Sequence, residues 1–384
     1  MASRKQKIIF YAHEGLGLGH LSRTCRLANW LSRRFSCLVV TGQRDATAFL
    51  NADVDFVKLP AVDGIFRDRA AFLQKPLYFD FGDEAAVAFR RDIIDAVLSH
   101  FKPDVLISDH TVTGKLGELV PAMTSPIPRK KYLMLRPVMG TPERSRERLF
   151  RNNGLSLLRE NIDRIIVAGD ERISSVSEDL LKDLDSQRSK IFYAGFVAPI
   201  VSAASKEHCR KRHSIEEDEV WVVCSAGSGI VFEPILNIVR NMTEITSRKL
   251  SIDFVLGSRG ILNEEAPKNV RLHQFCHDLP QMHSSCDLVF CHGGYNTIVE
   301  AIAGNVPLAV ARADWSDITA NDERPTNVER IRDFYPAAII GNAADLNLFL
   351  SKLVDGSNKP PREAIGLNTN GLRNIEEMLL ADLG

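Results

Sequence analysis

The chain has 384 residues, 45% hydrophobic and 25% charged, with a formal net charge of −1. This is the balance of an ordinary soluble globular protein. It excludes bulk electrostatic attraction to nucleic acid or an anionic membrane, and the length calls for two domains. Seven cysteines, at positions 25, 37, 209, 224, 276, 286 and 291, show no C-x-x-C spacing, which disfavours a disulfide scaffold or a zinc ribbon and suits a reducing compartment.

From the N-terminus, MASRKQKIIFYAHEG holds an apolar run too short for a signal peptide, and no window approaches eighteen uninterrupted apolar residues. A cytoplasmic protein without a transmembrane segment is expected. Short β-like runs then alternate with helical patterns. In the first half the runs are Lys7 to Ala12, Cys37 to Thr41, Val54 to Leu59, Val105 to Ser108, Tyr132 to Leu135 and Ile162 to Ala168, with helices such as Leu21 to Arg34 and Glu84 to His100 between them. Periodicity fades over Gly195 to Asp218, where SAASKEHCRKRHSIEED suits a linker. The second half has runs at Val220 to Cys224, Ile252 to Leu256, Val270 to Leu272, Leu288 to Cys291, Leu308 to Ala311 and Ala337 to Ile340. Its helices are expected over Phe232 to Thr246, Asn296 to Gly304, Asn327 to Asp333 and Asp345 to Leu353.

This alternation predicts an α/β protein of two Rossmann-like domains with parallel sheets and crossover helices: residues 1–195, a linker at 196–218, and residues 219–384. The last helix, around Leu372 to Leu380, is free to cross back onto the first domain. Two such sheets facing each other would bind ligand in an interdomain cleft at the carboxyl ends of their strands.

Three turns carry the chemistry. HGGYNTIVEAIAGNVP, from His292 to Pro307, follows an apolar run and has the layout of strand, glycine turn and helix. Gly293 and Gly294 would admit an anion, and Tyr295 and Asn296 would present main-chain N–H groups to it. Thr297-x-x-Glu300 within it is also a capping-box pattern, in which Glu300 would only secure the helix start. The turn SAGSG, at Ser225 to Gly229, places Gly227 and Gly229 where a backbone must approach a bulky anion, with Ser225 and Ser228 as hydroxyl donors. A plain strand-to-helix turn is the competing reading.

GLGLGH, from Gly15 to His20, ends in a histidine at the carboxyl end of the first strand. There a helix N-terminus would favour the neutral imidazole that a general base requires. His13 is its rival, and Asp109 with His110 would orient the base or touch an acceptor. The glycines do not complete G-x-G-x-x-G, since the sixth position is His20 in one register and Ser22 in the other. The second strand also ends at Val40-Thr41 with no acidic ribose ligand, which argues against a nicotinamide dehydrogenase. The basic run from Arg129 to Arg151 reads either as a solvated loop and helix face or as a docking patch for an anionic acceptor. Asp53-Val-Asp55 and Asp183-Leu-Asp185 read as surface pairs, and no metal site is expected.

Taken together, the two halves, GLGLGH, SAGSG and the GG-x-N-T-x-x-E block resemble a GT-B glycosyltransferase. The closest likeness is to glycosyltransferase family 28, the group that contains the bacterial peptidoglycan N-acetylglucosaminyltransferase, and GGYNT also resembles a predicted glycosyltransferase subgroup of it. The resemblance covers the whole chain in layout and is specific in the second half.

It implies a donor site formed by the Ser225 to Gly229 loop, by His292, Gly293, Gly294, Tyr295, Asn296 and Thr297, and by Glu300 on the ribose hydroxyls. Main-chain groups near Gln274, Phe275 and Cys276 would read uracil. The family's Asp-x-Gln-x-x-Asn pattern for the donor sugar falls on Asp322, Arg324 and Asn327, with Glu323 beside them. Arg324 in place of Gln leaves the sugar open, because a guanidinium also suits a carboxylate or phosphate.

The implied activity is inverting, metal-independent transfer of a sugar from a nucleotide-diphosphate donor, foremost a UDP-sugar and among these UDP-GlcNAc, to a hydroxyl of a small-molecule or glycan acceptor, with no separate cofactor. His20 would take the acceptor proton, Asp109 would support it, and His13, Gly19, His110 and Arg136 would line the acceptor site. Two readings stand beside this one: a nucleotide-sugar 2-epimerase or hydrolase of the same architecture, and a non-catalytic nucleotide-sugar binding protein.

Overall fold

The computed structural model describes residues 5–15, 17–68, 71–76, 83–176, 178, 185–227, 231–242, 249–257, 260–262, 267, 270–312, 323–356 and 366–384. They form two compact units, one of residues 1–197 with 370–384 and one of residues 198–369.

The first unit begins with strand β1 (Lys7–Ala12), helix α1 (Gly19–Leu31) and strands β2 (Ser36–Thr41) and β3 (Asp55–Lys58). An antiparallel hairpin of β4 (Val62–Asp68) and β5 (Ala71–Pro76) precedes helix α2 (Asp83–Phe101). Next come β6 (Val105–Asp109), α3 (Val120–Thr124), β7 (Lys130–Leu135), α4 (Pro142–Phe150), α5 (Gly154–Asn161), β8 (Arg164–Val167) and β9 (Ile191–Tyr193). Seven strands pair in parallel in the order β3-β2-β1-β6-β7-β8-β9. Ile8 to Ala12 are buried without alternation, as expected where helices cover both faces of a parallel sheet. Helix α1 buries Leu21, Arg23, Thr24, Cys25, Leu27, Ala28 and Leu31, a broad face built around the helical stripe Leu21, Thr24, Cys25, Ala28 and Leu31.

The second unit opens with α6 (Ala203–Arg212), then β10 (Val220–Ser225), α7 (Glu233–Arg240), β11 (Leu250–Val255) and β12 (Val270–His273). It continues through α8 (Leu279–Ser285), β13 (Leu288–Cys291), α9 (Tyr295–Gly304), β14 (Leu308–Ala311), α10 (Glu323–Ile331), β15 (Ala337–Ile340) and α11 (Ala343–Val354). Its six parallel strands run β12-β11-β10-β13-β14-β15. In each sheet the strand order reverses once, between β1 and β6 and between β10 and β13. Such a reversal opens a crevice at the carboxyl ends of the two strands.

The final helix, α12 (Gly371–Leu383), belongs to the first unit. Gly371 donates its N–H to Phe196, Val197 bridges Asn370, and Asp382 accepts from Tyr132 and Arg164 at 2.6 to 2.8 Å.

The segment expected to be a linker is different in kind: residues 198–218 lie in the second unit and contain α6. Ser202 and Ser205 cap that helix reciprocally, Arg210 pairs with Asp287 at 2.9 Å, and Lys206 donates to the Gly304 carbonyl. Polar anchors hold it in place of an apolar stripe; Cys209 is its only buried residue. Among the described residues no helix is long and apolar enough to cross a membrane.

Candidate functional site

At the strand reversal of the first sheet, β1 runs out into His13 and β6 into Asp109 and His110, while His20 stands on the first turn of α1. The three imidazoles cluster, with ring centroids 5.2 Å apart for His13 and His20, 5.5 Å for His13 and His110, and 4.7 Å for His20 and His110. His20 Nδ1 lies 2.7 Å from Asp109 Oδ2, and Arg23 donates to the other carboxylate oxygen. A carboxylate can only accept, so Nδ1 carries the hydrogen and Nε2 keeps its lone pair.

Burial favours neutral His20, and its pKa falls below the usual imidazole value even though Asp109 pulls it upward. Burial would raise the Asp109 pKa, but Arg23 and His20 outweigh it and hold the carboxyl at about 2. Desolvation is the largest cause of the lowering at His20.

His110 adopts a left-handed backbone, φ 70, uncommon outside glycine and often met at functional sites. Its N–H is fixed by the Met134 carbonyl at 2.8 Å. Burial and the neighbouring His20 push His13 well below the usual range, and its buried Nδ1 has no hydrogen-bond partner among the described residues. Gly19 is exposed and Arg136 half-buried just past the end of β7.

Beneath this cluster lies a buried network that the sequence did not reveal. Arg90, fully buried, donates to Glu14 at 2.9 Å and to Glu118 at 2.7 and 3.0 Å, and Tyr11 donates to Glu118 at 2.6 Å. Glu14 also accepts from the main chain of Val62 at 2.8 Å. Arg90 therefore ties the exit of β1 to the start of the hairpin and to the loop after β6, which fixes where His13 and His110 emerge.

In the second unit, the turn after β13 is built for close backbone approach. Gly293 has φ +80, where a side chain would be strained and would crowd Val328 and Arg324, whereas a Cβ at Gly294 would meet nothing within 4 Å. Gly227, at the exit of β10, is also left-handed and faces open space. The first turn of α9 directs the N–H groups of Tyr295, Asn296 and Thr297 past Gly294. His292 Nε2 holds the Val231 carbonyl at 2.7 Å, which joins the two turns. Ser225 is buried at the end of β10, and Ser228 and Gly229 lie outside the described residues.

The N-cap of α9 is Gly294, with no side-chain cap, so Thr297 and Glu300 form no capping box. Glu300 instead pairs with His283 on α8, Oε2 to Nδ1 at 2.9 Å, with both side chains buried. A Cβ on Gly304 would overlap the Ser284 main chain; only glycine lets α8 and α9 come close enough for this pair. Asn327 on α10 donates to the Gly293 carbonyl at 3.2 Å and locks the turn, while Glu323 and Arg324 are half-buried on the first turn of the same helix. Asp322 lies outside the described residues. Phe275 is half-buried and edge-on to His277 at 5.0 Å. Cys276 lies against His273, whose pKa is raised to about 10 chiefly by its bond to Asp253.

No family model matches the chain. An uncharacterized glycosyltransferase of Methanosarcina acetivorans is 28% identical over 231 residues, 55% of this chain and 55% of that protein. The chain spans about half the length of the curated relatives it matches. Among solved structures, UGT2 of Phytolacca americana complexed with UDP-2fluoro-glucose and pterostilbene superposes with a TM-score of 0.60 at 17% identity, covering 98% of this chain and 95% of that one. A protein of Listeria monocytogenes assigned as a UDP-N-acetylglucosamine 2-epimerase gives 0.60 at 13% identity, covering 99% and 97%. At these identities the likeness is one of fold. The chain has the α/β fold of GT-B proteins, two units on parallel sheets whose strand reversals carry the imidazole cluster and the glycine turns.

Proposed function

We propose that this chain is an inverting, metal-independent glycosyltransferase, resembling family 28, that moves a sugar from a UDP-sugar to an acceptor hydroxyl. The observation that carries this reading is the His20–Asp109 pair at the strand reversal of the first sheet, a neutral imidazole with its lone pair at Nε2. The acceptor hydroxyl gives its proton to Nε2 as its oxygen bonds to the anomeric carbon. The bond from that carbon to the diphosphate breaks, and UDP leaves with the electron pair. N–H groups at Gly227 and along Gly294 to Thr297 meet the growing charge, with Ser225, Ser228 and Gly229 on the same loop. In place of a metal ion, fixed dipoles serve the leaving group.

Glu300 takes the ribose hydroxyls, Phe275 and Cys276 flank the base, and Asp322, Glu323, Arg324 and Asn327 hold the sugar. His13, Gly19, His110 and Arg136 line the acceptor side. The Methanosarcina likeness supports the transferase reading, and the UDP-2fluoro-glucose in the Phytolacca complex supports the choice of donor. Seven free thiols suit a cytoplasmic location.

The test is calorimetric titration with UDP, dTDP, GDP and NAD, each with and without EDTA, followed by product analysis. EDTA-insensitive UDP binding that weakens in Glu300→Ala, with an inverted glycoside formed from the UDP-sugar, is the expected result. Binding of NAD alone would end the transferase reading. The Listeria likeness favours one second reading, 2-epimerisation, which needs no acceptor; a UDP-linked epimer formed without acceptor would establish it.

A further inference from the structure

Helix α6 packs along α8 without an apolar stripe, and Cys209, 4% exposed, is its only buried residue. A short helix draws most of its stability from such a stripe, and α6 must find it in polar contacts instead. His213 follows Cys209 by four positions, and its N–H donates to the Cys209 carbonyl at 3.1 Å. That is one continued helical turn, which sets thiol and imidazole on the same face, the spacing by which a helix offers two ligands to one ion. Facing them is Asp278, at the N-cap of α8. An aspartate there ordinarily accepts from the main chain of its own helix, yet this one makes no side-chain cap bond. Its Oδ2 lies 3.0 Å from His213 Nε2. Cys209 Sγ, a ring nitrogen of His213 and a carboxylate oxygen of Asp278 all lie within 4.8 Å of one another.

Neighbouring residues hold this arrangement in place. The ring of His213 lies against that of buried Trp221, with centroids 5.5 Å apart, and the His213 carbonyl accepts from Arg271 at 2.9 Å. Atoms about 2.0–2.3 Å from a tetrahedral zinc stand about 3.3–3.7 Å apart, so small side-chain rotations bring the three to bonding distance. Arg212 also donates to Asp278, at 3.3 Å, but its side chain is 58% exposed. An ion pair that open to water contributes little and yields to a dication.

We propose that Cys209, His213 and Asp278 form a site for a zinc-class divalent ion that staples α6 to the start of α8. One thiolate, one imidazole and one carboxylate favour zinc or cobalt over magnesium or calcium, which seek oxygen alone. The three side chains replace waters on the ion, the Cys209 proton leaves to solvent as the sulfur–metal bond forms, and water keeps the fourth position. The ion joins two helices, and the sugar transfer proposed above does not depend on it.

The experiment titrates the reduced, metal-free protein with zinc and, separately, with cobalt and magnesium. Zinc is expected to bind stoichiometrically and to raise the midpoint of thermal unfolding. Cobalt should give a sulfur-to-metal charge-transfer band with the strong visible absorption of tetrahedral coordination, and magnesium should do neither. Cys209→Ser should abolish the charge-transfer band, and His213→Ala and Asp278→Asn should each weaken zinc binding about tenfold or more. Asp278 is partly exposed and caps nothing, so Asp278→Asn carries the test should either of the other variants fail to fold. A wild type that binds no zinc overturns the proposal. So does zinc bound equally by wild type and variants, or cobalt bound without the sulfur band, since either result places the ion elsewhere.

Discussion

Asp109 accepts the Nδ1 hydrogen of His20 at 2.7 Å on one carboxylate oxygen and Arg23 on the other. One side chain thus fixes the tautomer of the imidazole and is itself kept ionised by the guanidinium. The arrangement resembles the base-and-orienter half of a hydrolase triad, without a protein nucleophile. An external hydroxyl can fill that place.

If His20 is the base, His20→Ala should lower the rate of sugar transfer to the acceptor by about 10²- to 10⁴-fold and leave UDP affinity unchanged. Asp109→Asn should lower the rate by a smaller factor, since the imidazole remains but its tautomer is no longer imposed. Steady-state rates and calorimetry on the same preparations decide it. A His20→Ala enzyme within threefold of wild type would remove His20 from the chemistry.

The pH dependence has a definite sign. Burial lowers the His20 pKa below 6.5, so the basic form is present throughout the neutral range and kcat/KM should fall only below pH 6.5. Asp109 works against that lowering; Asp109→Asn should therefore move the acid limb to still lower pH. Stability follows the same direction. Unfolded imidazoles take up protons near 6.5 while buried His13 and His20 resist, so stability falls as pH drops through that value. Asp109 adds stability above its unfolded value near 3.8 that is lost towards about 2. An acid limb above pH 6.5 would contradict the assignment.

Glu300 faces His283 across two closely packed helices, which makes His283 a positioning residue for any ligand of Glu300. Glu300→Ala should weaken UDP binding about 10- to 100-fold, the range for a hydrogen bond to a charged group. His283→Ala should weaken it by about tenfold, and His283→Asn, whose side-chain amide stands where Nδ1 does, should recover most of that. Equal losses in the Ala and Asn variants would mean that the pair serves packing alone.

Gly293 and Gly294 are adjacent and should respond oppositely. Gly293→Ala places a side chain at φ +80 against Val328 and Arg324, and should cost about 1–2 kcal/mol of folding stability. Gly294→Ala meets only open space and should leave stability within about 0.5 kcal/mol of wild type, yet UDP binding should weaken, because the new methyl stands where the diphosphate approaches. Urea unfolding and UDP titration of both variants separate backbone strain from ligand space. Normal UDP affinity in Gly294→Ala would move the diphosphate elsewhere.

Much of this architecture could be read in the sequence because its causes are local. Lys7–Ala12, Leu288–Cys291, Leu308–Ala311 and Ala337–Ile340 are bounded apolar runs, and each is a strand with those limits. The glycine turns that begin at 225–227 and at 292–294 were visible for the same reason. What escaped depends on distance or on polarity. Arg90 meets Glu14 across 76 positions and Glu118 across 28, and no spacing rule announces such a meeting. Helix α6 hid in SAASKEHCRKRH because polar anchors hold it; the reciprocal serine cap at Ser202 and Ser205 was the one local signal. His283 gave none, since its role exists only once Gly304 has brought two helices together.

Arg90 offers the clearest test of how far the site depends on what lies beneath it. The side chain is fully buried and spans two carboxylates that are themselves buried, with the Tyr11 hydroxyl bound to one of them. Replacing it by methionine keeps much of the volume and strands both charges, for which about 3–5 kcal/mol of lost stability is expected. Glu14 also holds the Val62 main chain, and it directly follows His13, so the loss should reach the cluster: the His13 and His20 resonances should shift or broaden in Arg90→Met even well below its unfolding temperature. Adding Glu118→Met should return part of the stability, because one stranded carboxylate is removed. Urea unfolding gives the energies and imidazole NMR gives the coupling. A cost under about 1 kcal/mol with unchanged imidazole signals would mean that the carboxylates find water or a proton without Arg90, and that the imidazoles are placed by the sheet alone.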